Sequence, residues 1–339
     1  MAAITALFGR GDVIFSDELN HSSIIDGIRL SGAKVIIYPH LDYSKLEQLL
    51  KKYRSRYNFA GVISDGVFSA HGTYADLDKI HELKQKYSCV SMIDDTHGFA
   101  VIGRNGRGLV DFFKHKPDLL TASLAKGLAG FGGMIAGQVP LMKVIDCLGR
   151  QNTNTSHLSP ILAAQGLYQL RHYRENLRSF QSDLYKKMDV FNSELRFGGI
   201  NPYESFLHPI FSFTHADGQV VLQAVQELFE IGVVPALFPP PVAPTPTIRF
   251  SLHRELSNER LRQAAIVLRK FKMVPVRSAF TAKLTLESTA IWSGSNILPM
   301  NAFRSHDLRR DGITQNHDLS ACRSRTPGDL EPHVEGGRI

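Results

Sequence analysis

Three side chains in the middle of this sequence have the types and spacing to share one reaction. In Val90-Ser-Met-Ile-Asp-Asp-Thr-His-Gly98 an apolar run ends in Asp94, and His97 follows closely. In Leu119-Leu-Thr-Ala-Ser-Leu-Ala-Lys-Gly-Leu-Ala-Gly-Phe-Gly-Gly133, Lys126 leaves a second apolar run among glycines and alanines. An amine in apolar surroundings gives up its proton more readily and becomes nucleophilic toward carbonyls. The glycines let a flat or bulky group approach the backbone. A depressed lysine, a buried carboxylate and a neighbouring imidazole are the parts that hold pyridoxal phosphate. The lysine forms a Schiff base, and the carboxylate keeps the pyridine nitrogen protonated so that the ring draws electrons. Each part alone has a plainer reading: a cap, a satisfied polar group, a solvated lysine. The combination is what points to chemistry.

Such residues need a scaffold that brings strand ends together. Residues 12–137 alternate β-branched runs (Asp12–Ser16, Lys34–Tyr38, Phe59–Ser64, Val90–Ile93, Leu119–Ala122, Met134–Gly137) with amphipathic stretches such as Tyr43–Tyr53 and Ala75–Tyr87. Strands alternating with helices predict an α/β fold with a mostly parallel sheet covered on both faces, with ligands at the carboxyl ends of its strands. Residues 156–192 read as one long connecting helix started by Pro160. A smaller α+β unit follows. It has strands at Ile210–Thr214, Val233–Leu237 and Thr247–Leu252, helices at Gln219–Ile231 and Asn258–Phe271, and a Pro-rich loop at Pro239, Pro240, Pro241, Pro244 and Pro246. The expected division is a large domain over 1–155, a connecting helix over 156–192, a small domain over 193–275 and a nearly neutral, aperiodic, disordered tail over 276–339 holding the sole tryptophan, Trp292.

Composition narrows the class. The chain has 339 residues, 43% hydrophobic and 21% charged, an ordinary globular balance. No apolar stretch approaches the roughly 20 residues that span a bilayer. The net charge of +7 is spread along the chain, which suits an anionic small substrate better than nucleic acid. Cys89, Cys147 and Cys322 lack metal-type spacing, so no metal is expected, and buried thiols in a reducing compartment are the simple reading. Without a signal-peptide pattern, cytoplasm is the default. There is no internal repeat.

The motifs add a more specific expectation. Asp94-Asp-Thr-His-Gly98, then Gly103-x-x-Gly106-Arg-Gly108, then Thr121-x-Ser123-x-x-Lys126 with Phe131-Gly-Gly133, resemble the α-oxoamine synthase family of fold-type-I, class II aminotransferase-like pyridoxal phosphate enzymes. Upstream the resemblance takes in Ser16–Gly27 and Ser64–Ser69, and downstream Arg249-Phe-Ser-Leu252. It implies a seven-stranded-type large-domain sheet, here truncated, with a small C-terminal domain. Lys126 would carry the Schiff base, Asp94 would pair with the ring nitrogen, and His97 and Ser69 would reach the ring oxygen. His21 would stack on the ring, and Ser123 would bind the phosphate. Ser156, where the family usually has Thr, would reach the phosphate in a neighbouring subunit. Arg249 would bind the amino acid carboxylate. The implied reaction joins an amino acid (Gly, Ala or Ser) to an acyl-CoA in a homodimer, giving an α-amino ketone, free CoA and usually carbon dioxide. His21 could instead simply start a helix over 22–31, and Arg249 could be a surface strand residue.

The chain also departs from the family. About a hundred residues, with a Gly-rich phosphate loop, would precede this segment in a relative. The turn Phe68-Ser-Ala-His-Gly72 has His71 where an acid is usual, and Phe238 stands where an arginine is often found. Two other readings stay open: an aminotransferase or lyase on the same fold, and a non-catalytic or fragmentary partner subunit.

Overall fold

The computed structural model describes residues 1–276 apart from 202–207, 241, 242 and 244. The expected disordered tail, Trp292 and Cys322 therefore lie outside the described residues, as do Pro241 and Pro244. The elements are α1 (Ala2–Leu7), β1 (Val13–Asp17), α2 (Ser22–Ser31), β2 (Lys34–Tyr38), α3 (Tyr43–Tyr53), β3 (Ala60–Asp65), α4 (Leu77–Lys86), β4 (Val90–Asp94), β5 (Leu119–Ser123) and β6 (Gly133–Gly137). They continue with α5 (Val139–Leu148), α6 (Arg150–Thr153), α7 (Pro160–Phe197), β7 (Ile210–Thr214), α8 (Gly218–Glu230), β8 (Ala236–Phe238), β9 (Thr247–Ser251), α9 (Asn258–Lys270) and β10 (Val274–Pro275).

The first sheet runs β2-β1-β3-β4-β5-β6, six strands among the described residues. It is parallel throughout except for β6, which returns antiparallel to β5. β1 and β3 are buried along their whole length, as central strands covered on both faces must be. Their side chains alternate between the two faces. Val13, Phe15, Ala60, Val62 and Ile93 meet Leu46 and Leu50 of α3 and Leu77, Ile80 and Leu83 of α4. Ile14, Ile63, Met92 and Leu119 meet Ile4, Ile24, Ile28 and Ile145 of α1, α2 and α5. Each fully buried side chain of this kind contributes about 1.5–3 kcal/mol. Aspartates start the helices on the first of these faces: Asp42 and Asp76 accept the Lys45 and Lys79 amides at 2.8 and 3.0 Å.

The second sheet is antiparallel, in the order β10-β7-β9-β8. Its core joins Phe211, Phe213, Ile248 and Phe250 to α8, α9 and the C-terminal end of α7 through Met188, Phe191 and Leu195. α7 begins at Pro160 and runs on past 192 to Phe197 because these three residues bury its last turns. β8 starts later than the apolar run Val233–Leu237 suggests. Gly232 takes φ 72°, and the Val233 amide turns back to the Leu228 carbonyl, closing α8 first. The expected buried thiols are corrected: Cys147 is exposed on α5, whose inward residue is Ile145, and Cys89 is half-buried; neither is in a disulfide. No helix among the described residues is long and apolar enough to cross a membrane.

Candidate active site

Three neighbouring parallel strands, β1, β3 and β4, end in Asp17, Asp65 and Asp94, all still paired in the sheet. The loops after these ends carry the polar side chains of the site. After β1 comes His21, whose ring Nδ1 accepts the Ser23 amide at 3.2 Å and so starts α2. His21 is thus a helix cap, and it also lines two cavities. The loop after β3 carries Ser69, and the loop after β4 carries His97.

Asp94 sits at the floor of the first cavity, half-buried rather than fully buried as expected. Thr121 Oγ1 donates to Asp94 Oδ2 at 2.9 Å, and the Thr96 amide donates to Oδ1 at 3.1 Å. Two donors thus fix the carboxylate. β5 passes beside it and ends at Ser123, whose amide donates to Thr96 Oγ1 at 2.9 Å. Lys126 follows, with Nζ 2.6 Å from His97 Nε2. Burial lowers the Lys126 pKa; Asp94 opposes that shift and Arg249 adds to it. Burial, then the Lys126 cation, pushes His97 down to about 3, so its imidazole is neutral and Nε2 is free to accept.

The cavity at this point has a volume of about 750 Å³ and is lined by Asp65, Asp94, His97, Ser123 and Lys126. Gly132 and Gly133 form part of its wall without side chains. A second cavity, of about 1160 Å³, shares His21, Ser69, His97 and Lys126 with it and extends along Tyr168, Tyr173, Phe180 and Leu184 of α7 to Arg249 on β9. Arg249 Nη1 donates to the Ser69 carbonyl at 2.9 Å, and Arg249 lies over the Phe238 ring at 5.1 Å. Its Nε is buried with no partner among the described residues. Arg249 is therefore a cavity residue and not a surface strand residue.

Of the residues singled out by sequence, Lys126, Asp94, His97, His21, Ser69 and Ser123 converge on the first cavity, and Arg249 joins Lys126 at the second. Ser156 is exposed in the stretch between α6 and α7 and lines neither cavity of its own chain. Sequence reasoning missed Asp65, whose Oδ2 accepts the His21 amide at 3.1 Å. Burial, then the Asp94 charge, raises its pKa. The signal was present: Asp65 ends its strand as Asp94 ends the next. His71 is buried outside both cavities, and burial lowers its pKa.

Residues 1–268 match the aminotransferase class I and II family. The chain belongs to that family. Within it the α-oxoamine synthase resemblance holds, and the architecture is that of fold-type-I members. A class I and II relative from Treponema denticola, named 8-amino-7-oxononanoate synthase, is 33% identical over 271 residues, covering 79% of this chain and 68% of its own. One of the same name from Coprothermobacter proteolyticus is 48% identical over 147 residues, 43% of this chain and 37% of its own. The chain thus spans well under two thirds of that relative's length, and 59% of the length of the one from Thermoanaerobacter pseudethanolicus. Among solved structures, 8-amino-7-oxononanoate synthase from Francisella tularensis superposes with a TM-score of 0.68 at 28% identity, covering 79% of this chain and 78% of its own. Serine palmitoyltransferase from Sphingomonas wittichii, at 24% identity and a TM-score of 0.73 over 80% of this chain and 68% of its own, shares the fold.

Proposed function

We propose that this site binds pyridoxal phosphate and joins an amino acid to an acyl thioester. The observation that carries the reading is the Lys126 amine held 2.6 Å from a neutral His97 in a cavity floored by Asp94. These residues fit the cofactor. Lys126 is an amine of lowered pKa, Asp94 is a carboxylate fixed for a ring nitrogen, and His97, His21 and Ser69 stand around the same space. Ser123 would bind the phosphate, with Gly132 and Gly133 beside it in the same cavity wall. Bound there, pyridoxal phosphate supplies an electron sink that stabilises negative charge at the amino acid α-carbon.

The protein groups do the rest. Arg249, which lines the second cavity beside Lys126, holds the substrate carboxylate through its guanidinium. Lys126 takes the α-proton, and neutral His97 accepts a hydrogen bond from the Lys126 amine and keeps it aimed. The α-carbon then forms a bond to the acyl carbonyl, the thioester C–S bond breaks, and the thiol leaves with a proton. The C–C bond to the original carboxylate then breaks, carbon dioxide leaves, and the α-carbon takes up a proton in its place, giving an α-amino ketone. The second cavity, apolar along α7 and meeting the first at Lys126, suits the acyl chain. The name 8-amino-7-oxononanoate describes such a ketone. Its amine and terminal methyl match alanine after decarboxylation, and the remaining seven carbons match an acyl chain ending in a carboxylate. Alanine with a seven-carbon diacid thioester is therefore the first pair to test. Pairing of two copies is part of the proposal, supported by exposed Val139, Leu148, Ile161 and Leu167. So is a cytoplasmic location.

The test adds pyridoxal phosphate to the purified chain, follows visible absorption, reduces with borohydride and maps the labelled peptide. Label at Lys126, followed by thiol release from an acyl-CoA in the presence of alanine, is the expected result. Label scattered over surface lysines would overturn the reading and favour a non-reacting partner subunit.

A further inference from the structure

Asp95 follows Asp94 and is itself completely buried. Its backbone makes three bonds. The amide donates to the Thr121 carbonyl of β5 at 2.8 Å, and the carbonyl accepts the Gly98 and Phe99 amides at 3.0 and 2.8 Å. Those last two bonds form the turn that carries His97. Its carboxylate reaches the far end of the same loop, where the Leu109 amide donates to Oδ2 at 2.5 Å. A Cβ at Gly66, Gly98 or Gly108 would overlap the carboxylate, and Gly108 also takes φ 85°. Three backbone segments thus close around one carboxyl group, which leaves no room for a longer side chain. Oδ1 has no hydrogen-bond partner among the described residues. Burial pushes this carboxyl up to about 7; the Leu109 amide opposes the shift, the neighbouring Asp94 charge adds to it and the Gly98 amide opposes it. A group kept in so unfavourable a place is held there by what it does for its neighbours.

We propose that Asp95 is the positioning residue of the site: by accepting the Leu109 amide inside the cage of Gly66, Gly98 and Gly108, it ties both ends of the 96–109 loop together and thereby holds His97 against Lys126. Asp95 touches neither cavity and takes no part in bond making. The proposal rests on His97 and Lys126 being the reacting pair, but its consequence is visible in the chain without cofactor. Failure of cofactor binding and failure of this inference are therefore separate results.

The experiment uses the full chain with labelled histidine and leucine. It follows the His97 ring titration by NMR and exchange of the Leu109 amide in the wild type, Asp95→Ala and Asp95→Asn. In the wild type burial comes first, and Lys126, Arg249, His208 and His21 facing His97 add to it and hold its pKa near 3. Asp95→Ala removes the acceptor. The expected result is loss of Leu109 amide protection and a rise of the His97 pKa toward the ordinary value of 6.5. Asp95→Asn keeps an oxygen for the same amide and is expected to restore both readouts. Unchanged His97 titration in a folded Asp95→Ala chain would overturn the proposal. If Asp95→Ala does not fold, the Asn variant decides: retained protection with a depressed His97 supports the clamp, and a His97 risen toward 6.5 overturns it.

Discussion

An amine beside a neutral imidazole behaves differently from an amine beside a cation. His97, pushed down to about 3, is uncharged near neutral pH, so it contributes no step to the pH dependence there. Lys126 does. Its pKa is lowered from 10.5, and only its unprotonated form attacks a carbonyl. Borohydride trapping of pyridoxal phosphate at Lys126 should therefore reach its plateau at lower pH than trapping at a solvated lysine of the same chain. Coincident pH profiles for the two would show that the amine is not activated. Asp95 gives a second test, of stability. Its folded pKa of about 7 lies above the ordinary 3.8, so the native state keeps this proton where the unfolded chain has lost it. Its contribution to stability therefore falls as pH rises from about 4 to about 7. Asp95→Asn removes that decline. Urea unfolding at pH 4.5 and 7.5 should show the variant gaining on the wild type at the higher pH, and a constant difference would contradict the shift.

Single elements set the positions of these groups. Lys126 leaves β5 on a tight turn in which Ala129 takes φ 51° and its amide donates to the Lys126 carbonyl at 3.0 Å. Gly127 packs so close to the His97 loop that a Cβ there would meet the Phe99 carbonyl oxygen at 2.5 Å and the Ala100 side chain at 2.9 Å. Gly127→Ala should push the two loops apart and lower Lys126 trapping by about tenfold or more, the scale expected when reacting groups move by about 1 Å. Trapping at the wild-type rate would show that the contact is dispensable. The strands and most helices of this scaffold were legible because their apolar spacing matches a period of two or 3.6: α3, β2 and β7 fall where the pattern puts them. The short α1 and β10 were not read, since so few residues carry little periodicity. α5 was hidden because Pro140 at its start interrupts the pattern beside a run of glycines. At the site, Lys126, Asp94 and His97 could be read from type and spacing. Asp95 could not, because its identity equals that of its neighbour. Only the fold shows that one carboxylate faces the cavity and the other is enclosed by glycines far apart in the chain.

Across the molecule, the site exists because two sheets meet at one loop. Arg249 of β9 donates to the Ser69 carbonyl, and Ser212 Oγ of β7 donates to the Ala70 carbonyl at 2.6 Å. The phenylalanine cluster behind those strands holds them in place, with Phe191 edge-on to Phe211 at 5.2 Å. Phe191→Ala should cost about 3–5 kcal/mol by denaturant unfolding, as large core truncations do. It should also raise the KM for the amino acid, because the strand that presents Arg249 loses its backing. Loss of stability with an unchanged KM would show that Arg249 is held by its local bonds alone. α7 runs through both parts. Tyr168, Tyr173 and Phe180 line the second cavity, while Met188, Phe191 and Leu195 fill the second core. One continuous helix therefore keeps two faces in phase. A single codon inserted between 181 and 187 would turn everything beyond it by about 100°, so either the cavity wall or the core would face the wrong way. An insertion in that stretch keeps both faces in phase only if it adds close to a whole number of helical turns, so the gene's descendants can lengthen this helix only in steps that return Gln181 and Leu184 to their places.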